Sequence, residues 1–188
     1  MVYRPERPNG TAMLVIAGGG YAHIERGTES TPACLWLQSQ GVTAFELVYR
    51  LPGEHWPAVA PLQDGQRAMR VIRASAQEFG LDTGHIGVMG FSAGGHLAGI
   101  TAATPGVARY PLLDEIDKQS SRPDFAALIY PVLTFMPPFD HTHARREIVG
   151  EHPTAEESAA FSVDHLVTAQ MPPCLLYTSD AADERSSV

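Results

Sequence analysis

Apolar positions along the chain fall into two alternating rhythms. Ala12-Met13-Leu14-Val15-Ile16 is a short, wholly apolar run that ends in Ala17-Gly18-Gly19-Gly20-Tyr21. That is the pattern of a strand buried on both faces and opening into a glycine loop. Thr31-Pro32 then supplies an N-cap and a first-turn proline, Leu35 to Leu37 give apolar bulk and Gly41 gives a stop, which predicts a helix. Val42 to Tyr49 is rich in β-formers and predicts the next strand, after which Tyr49-Arg50-Leu51 leads into a proline-rich loop with His55 and Trp56. Leu62, Gly65, Met69, Ile72, Ala76 and Phe79 recur at steps of three and four, so 61–79 reads as an amphipathic helix closed by Gly80. Its other face, with Asp64, Arg67, Arg70, Arg73 and Glu78, reads as solvated.

Ile86-Gly87-Val88-Met89 is the next strand. It runs through Gly90-Phe91-Ser92-Ala93-Gly94-Gly95-His96 into a small-residue helix expected to reach about Ala103, ahead of the stop at Pro105-Gly106. Tyr110 to Arg122 is mixed and polar, and Asp124 to Pro131 reads as another buried strand. Residues 135–164, rich in His, Pro and acidic side chains, are too irregular for the sheet and read as an insertion near the mouth of a site. Alternating strands and helices imply an α/β fold with a mostly parallel, doubly wound sheet. Such sheets place their sites at the carboxyl ends of the strands, where both the glycine loop and Ser92 fall.

Composition narrows the function classes. With 188 residues and 44% hydrophobic content the chain reads as one globular domain. The net charge of -8 comes without any Lys/Arg cluster, which argues against a nucleic-acid surface. Two cysteines, Cys34 and Cys174, make no disulfide framework and show no zinc spacing. His141, His143 and His152 have a spacing that suits only a strand, in a proline-rich stretch that predicts none, so neither a metal nor another cofactor is expected. The apolar runs are far shorter than a bilayer span, and the polar, proline-rich start shows no signal peptide. The default expectation is a cytoplasmic location with no membrane partner, or a secreted one if a signal peptide lies upstream; oligomeric state stays open.

The chemistry centres on Gly90-x-Ser92-x-Gly94. Between a strand and a helix this pattern is a nucleophile elbow, with Ser92 on a tight turn that pushes Oγ outward. Gly90 and Gly94 flank it because a Cβ at either place would collide where strand and helix cross. Ala93 brings its N–H to the helix start, where an oxyanion is favoured. Gly18 to Gly20 can turn N–H groups toward a bound atom. A plain turn is the alternative reading, but beside an elbow the loop fits the second half of an oxyanion hole. His96 reads as a helix residue tied to backbone, because a base must reach Ser92 from above the sheet.

Ala17-Gly18-Gly19-Gly20-Tyr21, Tyr49-Arg50-Leu51, Gly90 to His96 and Pro123 to Val132 stand in an order that resembles the α/β-hydrolase esterases grouped with acetyl-xylan esterases and bacterial feruloyl-type esterases. The resemblance runs from about Tyr3 to Pro173. It implies Ser92 as nucleophile, the N–H groups of Gly19, Gly20 and Ala93 as oxyanion donors, and Tyr21 as a substrate contact. It also implies a serine esterase that removes acetyl or other small acyl groups from a carbohydrate or similar alcohol. Ala17 departs from the Pro or His that often precedes the glycines in that family.

In the family the triad acid and histidine follow the serine, each on a later loop. Here the chain continues Cys174-Leu175-Leu176-Tyr177-Thr178-Ser179-Asp180-Ala181-Ala182-Asp183-Glu184, which resembles the in-frame translation of a transposon-based sequencing adaptor. The favoured division is therefore a partial α/β-hydrolase domain over 1–173 and a non-native tail over 174–188. The competing division makes Leu175 to Tyr177 the true strand and Asp180 or Asp183 the triad acid. No histidine follows either aspartate. A serine without its base loses on the order of a million-fold in turnover, so a catalytically dead, binding-only fragment is the second functional reading. A prolyl-oligopeptidase-type peptidase is the third, though the chain has no room for the further domain such enzymes bring.

Overall fold

A computed structural model describes residues 1–178. Its strands are β1 (Val2–Tyr3), β2 (Ala12–Ile16), β3 (Thr43–Leu47), β4 (Ile86–Phe91), β5 (Ala126–Ile129) and β6 (Cys174–Tyr177). Its helices are α1 (Thr31–Ser39), α2 (Ala60–Ala74), α3 (Ala76–Phe79), α4 (Ser92–Ala103), α5 (His143–Val149), α6 (Ala155–Ala160) and α7 (Val163–Leu166). The strands form one sheet in the order β1-β3-β2-β4-β5-β6, parallel except where β1 runs against β3. This is the expected doubly wound arrangement, and it puts β2 and β4, the strands that feed the glycine loop and Ser92, side by side in register from Ala12↔Ile86 to Ile16↔Gly90.

All five residues of β2 are buried, because both sheet faces are covered. One core contains Leu14, Ile16, Leu62, Met69, Ile72, Leu97, Ile100 and Leu128; a second, on the other face, contains Met13, Val15, Cys34, Leu37 and Ala44. Residues 174–177, which the sequence offered both as foreign tail and as strand, pair parallel with β5 from Ala126↔Cys174 to Ile129↔Tyr177. Leu175, Leu176 and Tyr177 stand exposed on this edge. Asp180 and Asp183 lie outside the described residues.

Three expectations change. The helix expected over 61–79 opens at Ser75, whose ψ of 7 separates α2 from α3. Phe79 then packs edge-on against Phe45, with the ring centroids 5.2 Å apart. The arginine face of α2 is not merely solvated: Arg67 and Arg70 reach the fully buried Asp117 side chain and Arg73 caps the Ser120 and Arg122 carbonyls, so this face docks the polar stretch after α4. The stretch 135–164 stays out of the sheet, as expected, yet carries the short helices α5 to α7, two of them opened by N-cap threonines, Thr142 and Thr154.

Candidate active site

The turn from β4 into α4 carries Ser92 at φ 49, left-handed backbone that side chains other than glycine rarely adopt. Phe91 just before it is extended, at φ -114 and ψ 135, and α4 begins at Ser92 itself. Chain direction therefore reverses within a single residue, which lifts the side chain out of the sheet. Neighbouring glycines make room for this. A methyl group at Gly90 would run into the Gly94 carbonyl, and one at Gly94 into the Ile16 and Ala17 carbonyls. At Gly95 it would lie 2.7 Å from Pro131 Cβ.

The glycine loop reaches the same place. A methyl group at Gly18 would sit 2.8 Å from Ser92 Cβ, and Gly19 and Gly20 follow with φ 111 and 63. Among the described residues neither Gly19 nor Gly20 donates its N–H to an acceptor, and Ala93 lies in the first turn of α4, where N–H groups have no intrahelical partner. Three free donors beside one serine make a cradle for negative charge.

Tyr21, expected as a substrate contact, has a fully buried side chain, and its hydroxyl lies 2.7 Å from His96 Nδ1. His96 Nε2 is 2.7 Å from the Phe161 carbonyl, and the imidazole stacks on Phe135 with centroids 4.6 Å apart. A carbonyl only accepts, so Nε2 carries the proton and Nδ1 accepts from Tyr21. Burial pushes the His96 pKa down to about 4 and holds the ring neutral. Burial likewise raises the Tyr21 hydroxyl well above its ordinary range. His96 is thus tied to backbone, as its position on the helix suggested. It is also held by Tyr21, the residue that closes the glycine loop.

The stretch from 135 to 164 approaches the site through His143 on α5, whose Nδ1 lies 3.3 Å from the Gly20 carbonyl and 3.5 Å from Glu147. His23 and His85 bond to Glu25 and Asp82. Among the described residues Ser92 Oγ makes no hydrogen bond; His23, His85 and His96 are engaged elsewhere, and His143 is bonded to the glycine loop.

Two neighbours of Ser92 went unnoticed in the sequence. Glu29, in the single π-helical turn Arg26–Ser30, accepts the Gly18 N–H at 2.5 Å. Tyr130, just past β5, donates its hydroxyl to the same carboxylate at 3.1 Å. Tyr130 falls within the Pro123 to Val132 segment that carries the family resemblance, but that segment implied no role for it; for Glu29 the local hint is an acidic residue close behind the glycine loop.

The chain matches the family model described as BD-FAE over residues 2–183. It is similar to the acetylxylan esterase of Xylanibacter ruminicola, 28% identical over 182 residues that cover 95% of the chain and 35% of the relative. Among solved structures, the acetyl ester-xyloside bifunctional hydrolase from Caldicellulosiruptor lactoaceticus aligns with a TM-score of 0.78 at 33% identity, over 94% of this chain and 64% of that one. Thermogutta terrifontis esterase 2 phosphorylated by paraoxon aligns with a TM-score of 0.73 at 26% identity, over 93% of this chain and 62% of that one. The chain spans little more than a third of the curated relative's length. These neighbours are esterases of the α/β-hydrolase fold, and the sheet and elbow described above are that fold.

Proposed function

The chain belongs to the BD-FAE family, and from that premise we propose that it works as a serine esterase removing acetyl or another small acyl group from a carbohydrate alcohol. Ser92 Oγ attacks the ester carbonyl while its proton passes to a base. The tetrahedral oxyanion is held by the N–H groups of Gly19, Gly20 and Ala93. The bond from carbon to the alcohol oxygen then breaks, the alcohol leaves with the proton, and water hydrolyses the acyl-enzyme to release the acid and free Ser92. No metal or other cofactor enters the scheme.

The observation that carries this proposal is the left-handed Ser92 standing against a glycine loop with free N–H groups. The acyl and alcohol classes lean on the relatives, an acetylxylan esterase and an acetyl ester-xyloside hydrolase. Phosphorylation of the esterase 2 relative by paraoxon supports the covalent step. Hydrolysis of p-nitrophenyl acetate by the chain and by Ser92→Ala tests the proposal; equal rates end it.

A second reading, binding without turnover, is favoured by the engagement of His23, His85 and His96 away from Ser92. A serine-directed fluorophosphonate separates the two, because fast labelling at Ser92 requires a base within reach in the chain itself.

A further inference from the structure

The elbow and the oxyanion loop leave one pair of side chains unexplained, Glu29 and Tyr130. The carboxylate lies close to Ser92, since a methyl group at Gly18 would lie 2.8 Å from Ser92 Cβ and 3.1 Å from Glu29 Oε2. Glu29 is half-buried, and among the described residues it pairs with no Lys, Arg or His. An uncompensated negative charge beside a forming oxyanion opposes catalysis, so this carboxylate needs another reason to be there. Its two oxygens each take one donor, Gly18 N–H on Oε2 and the Tyr130 hydroxyl on Oε1. A carboxylate has about four acceptor sites, so two remain open.

Tyr130 carries its own strain. It sits at φ 35 immediately before Pro131, a conformation unfavourable for a bulky residue and more so ahead of proline. The backbone around it is pinned: Tyr130 N–H donates to the Tyr177 carbonyl at 2.6 Å, and Val132 N–H to the Ser92 carbonyl at 3.2 Å. The ring is 40% exposed and leans on Phe91, with the centroids 6.0 Å apart. The fold thus spends backbone strain to present an open aromatic face beside a carboxylate with free acceptor sites, next to the nucleophile.

This combination suits a polyhydroxylated ring, whose C–H face lies on an aromatic surface while its hydroxyls donate to a carboxylate. Building on the esterase proposal, we infer that Glu29 and Tyr130 form the subsite for the alcohol half of the substrate. Glu29 accepts a hydrogen bond from a free hydroxyl neighbouring the esterified carbon of a neutral sugar, and Tyr130 supports the ring. An alcohol half with a carboxylate of its own at that place is repelled.

The test compares methyl 2-O-acetyl-β-xyloside with its 3-O-methyl derivative, using the full chain, Glu29→Gln and Tyr130→Ala, with Ser92→Ala as blank. Wild type should favour the free-hydroxyl ester in kcat/KM by roughly tenfold or more, the worth of a hydrogen bond to a charged group. That ratio should fall toward one in Glu29→Gln, whose amide keeps the shape and loses the charge. Tyr130→Ala should raise KM for both sugar esters relative to p-nitrophenyl acetate. A wild-type ratio near one, or a preference that persists in Glu29→Gln, overturns the subsite while leaving the esterase intact. If no ester is hydrolysed in a Ser92-dependent way, the esterase proposal fails, and saturation-transfer NMR with methyl β-xyloside decides the subsite. Signal lost in Glu29→Gln upholds it, and signal unchanged overturns it.

Discussion

The Tyr21 hydroxyl and His96 Nδ1 stand 2.7 Å apart in the core and join the glycine loop of Gly18 to Gly20 to the helix that starts at Ser92. Removing the hydroxyl leaves a buried ring nitrogen with no donor, which costs about 1–3 kcal/mol. Tyr21→Phe should lower stability to urea by that amount while leaving the T-shaped packing against Tyr49 in place. It should also slow fluorophosphonate labelling of Ser92, because the loop is then held less firmly. A variant as stable as the parent would show that the contact orders nothing.

Acid should find the same histidine. Burial sets its folded pKa at about 4, below the ordinary value of 6.5. Between these values the unfolded chain takes up a proton that the native fold refuses, so stability falls as pH drops through that window, by up to about 3 kcal/mol, and this loss levels off below the folded value. Glu46 extends the decline. Burial raises its pKa, but hydrogen bonds from Arg26, Thr31, Ser30 and Tyr3 outweigh burial and bring it to about 2, from an ordinary 4.5. Its contribution is complete above the ordinary value and is lost as pH falls toward the folded one. Urea midpoints at about pH 7 and about pH 5 should differ in the parent, and His96→Gln should flatten that difference.

How far the sequence could be read follows from how local each feature is. Gly90, Ser92 and Gly94 act on one another within a single turn, so the elbow was legible, as were the strands that feed it. The approach of Gly18 to Ser92 followed from strand topology. Glu29 and Tyr130 lie 101 residues apart in the chain and meet only through the fold, so neither stood out. The burial of Tyr21 was not legible, because a tyrosine beside a glycine loop looks the same in sequence whether it points outward or into the core. Arg67, Arg70 and Arg73 looked solvated because their partners lie some fifty residues on.

Backbone strain at Ser92 predicts a trade between stability and function. Its φ of 49 is free for glycine and costs another residue roughly 1–2 kcal/mol. Ser92→Gly should therefore raise the stability measured by urea unfolding, by about 1 kcal/mol, while abolishing labelling and hydrolysis. Loss of stability in that variant would show that the turn is not strained.

Close approach at Gly94 predicts the opposite sign. An added methyl group there meets the Ile16 and Ala17 carbonyls at the crossing of β2 and α4, and backbone atoms cannot swing aside. Gly94→Ala should cost more than about 2 kcal/mol and yield little folded protein. Gly27→Ala, where nothing lies within 4 Å, is the matched control and should be near neutral.

The docking of the polar stretch after α4 predicts a lesion far from Ser92. Asp117 has a fully buried side chain that accepts from Arg67 at 2.7 Å, the Tyr110 hydroxyl at 2.6 Å and Leu113 N–H at 2.9 Å. Taking it away strands Arg70, only 11% exposed, whose one ion pair among the described residues is to Asp117. Asp114 has a more exposed carboxylate, 46% accessible, and shares Arg67 with Asp117, so its loss leaves Arg67 still paired. Asp117→Ala should therefore lower the urea midpoint clearly more than Asp114→Ala, and in both variants the folded fraction should label at Ser92 at the parent rate. Equal midpoints would mean that the arginine face of α2 is solvated after all, since only a buried anion makes the two aspartates unequal.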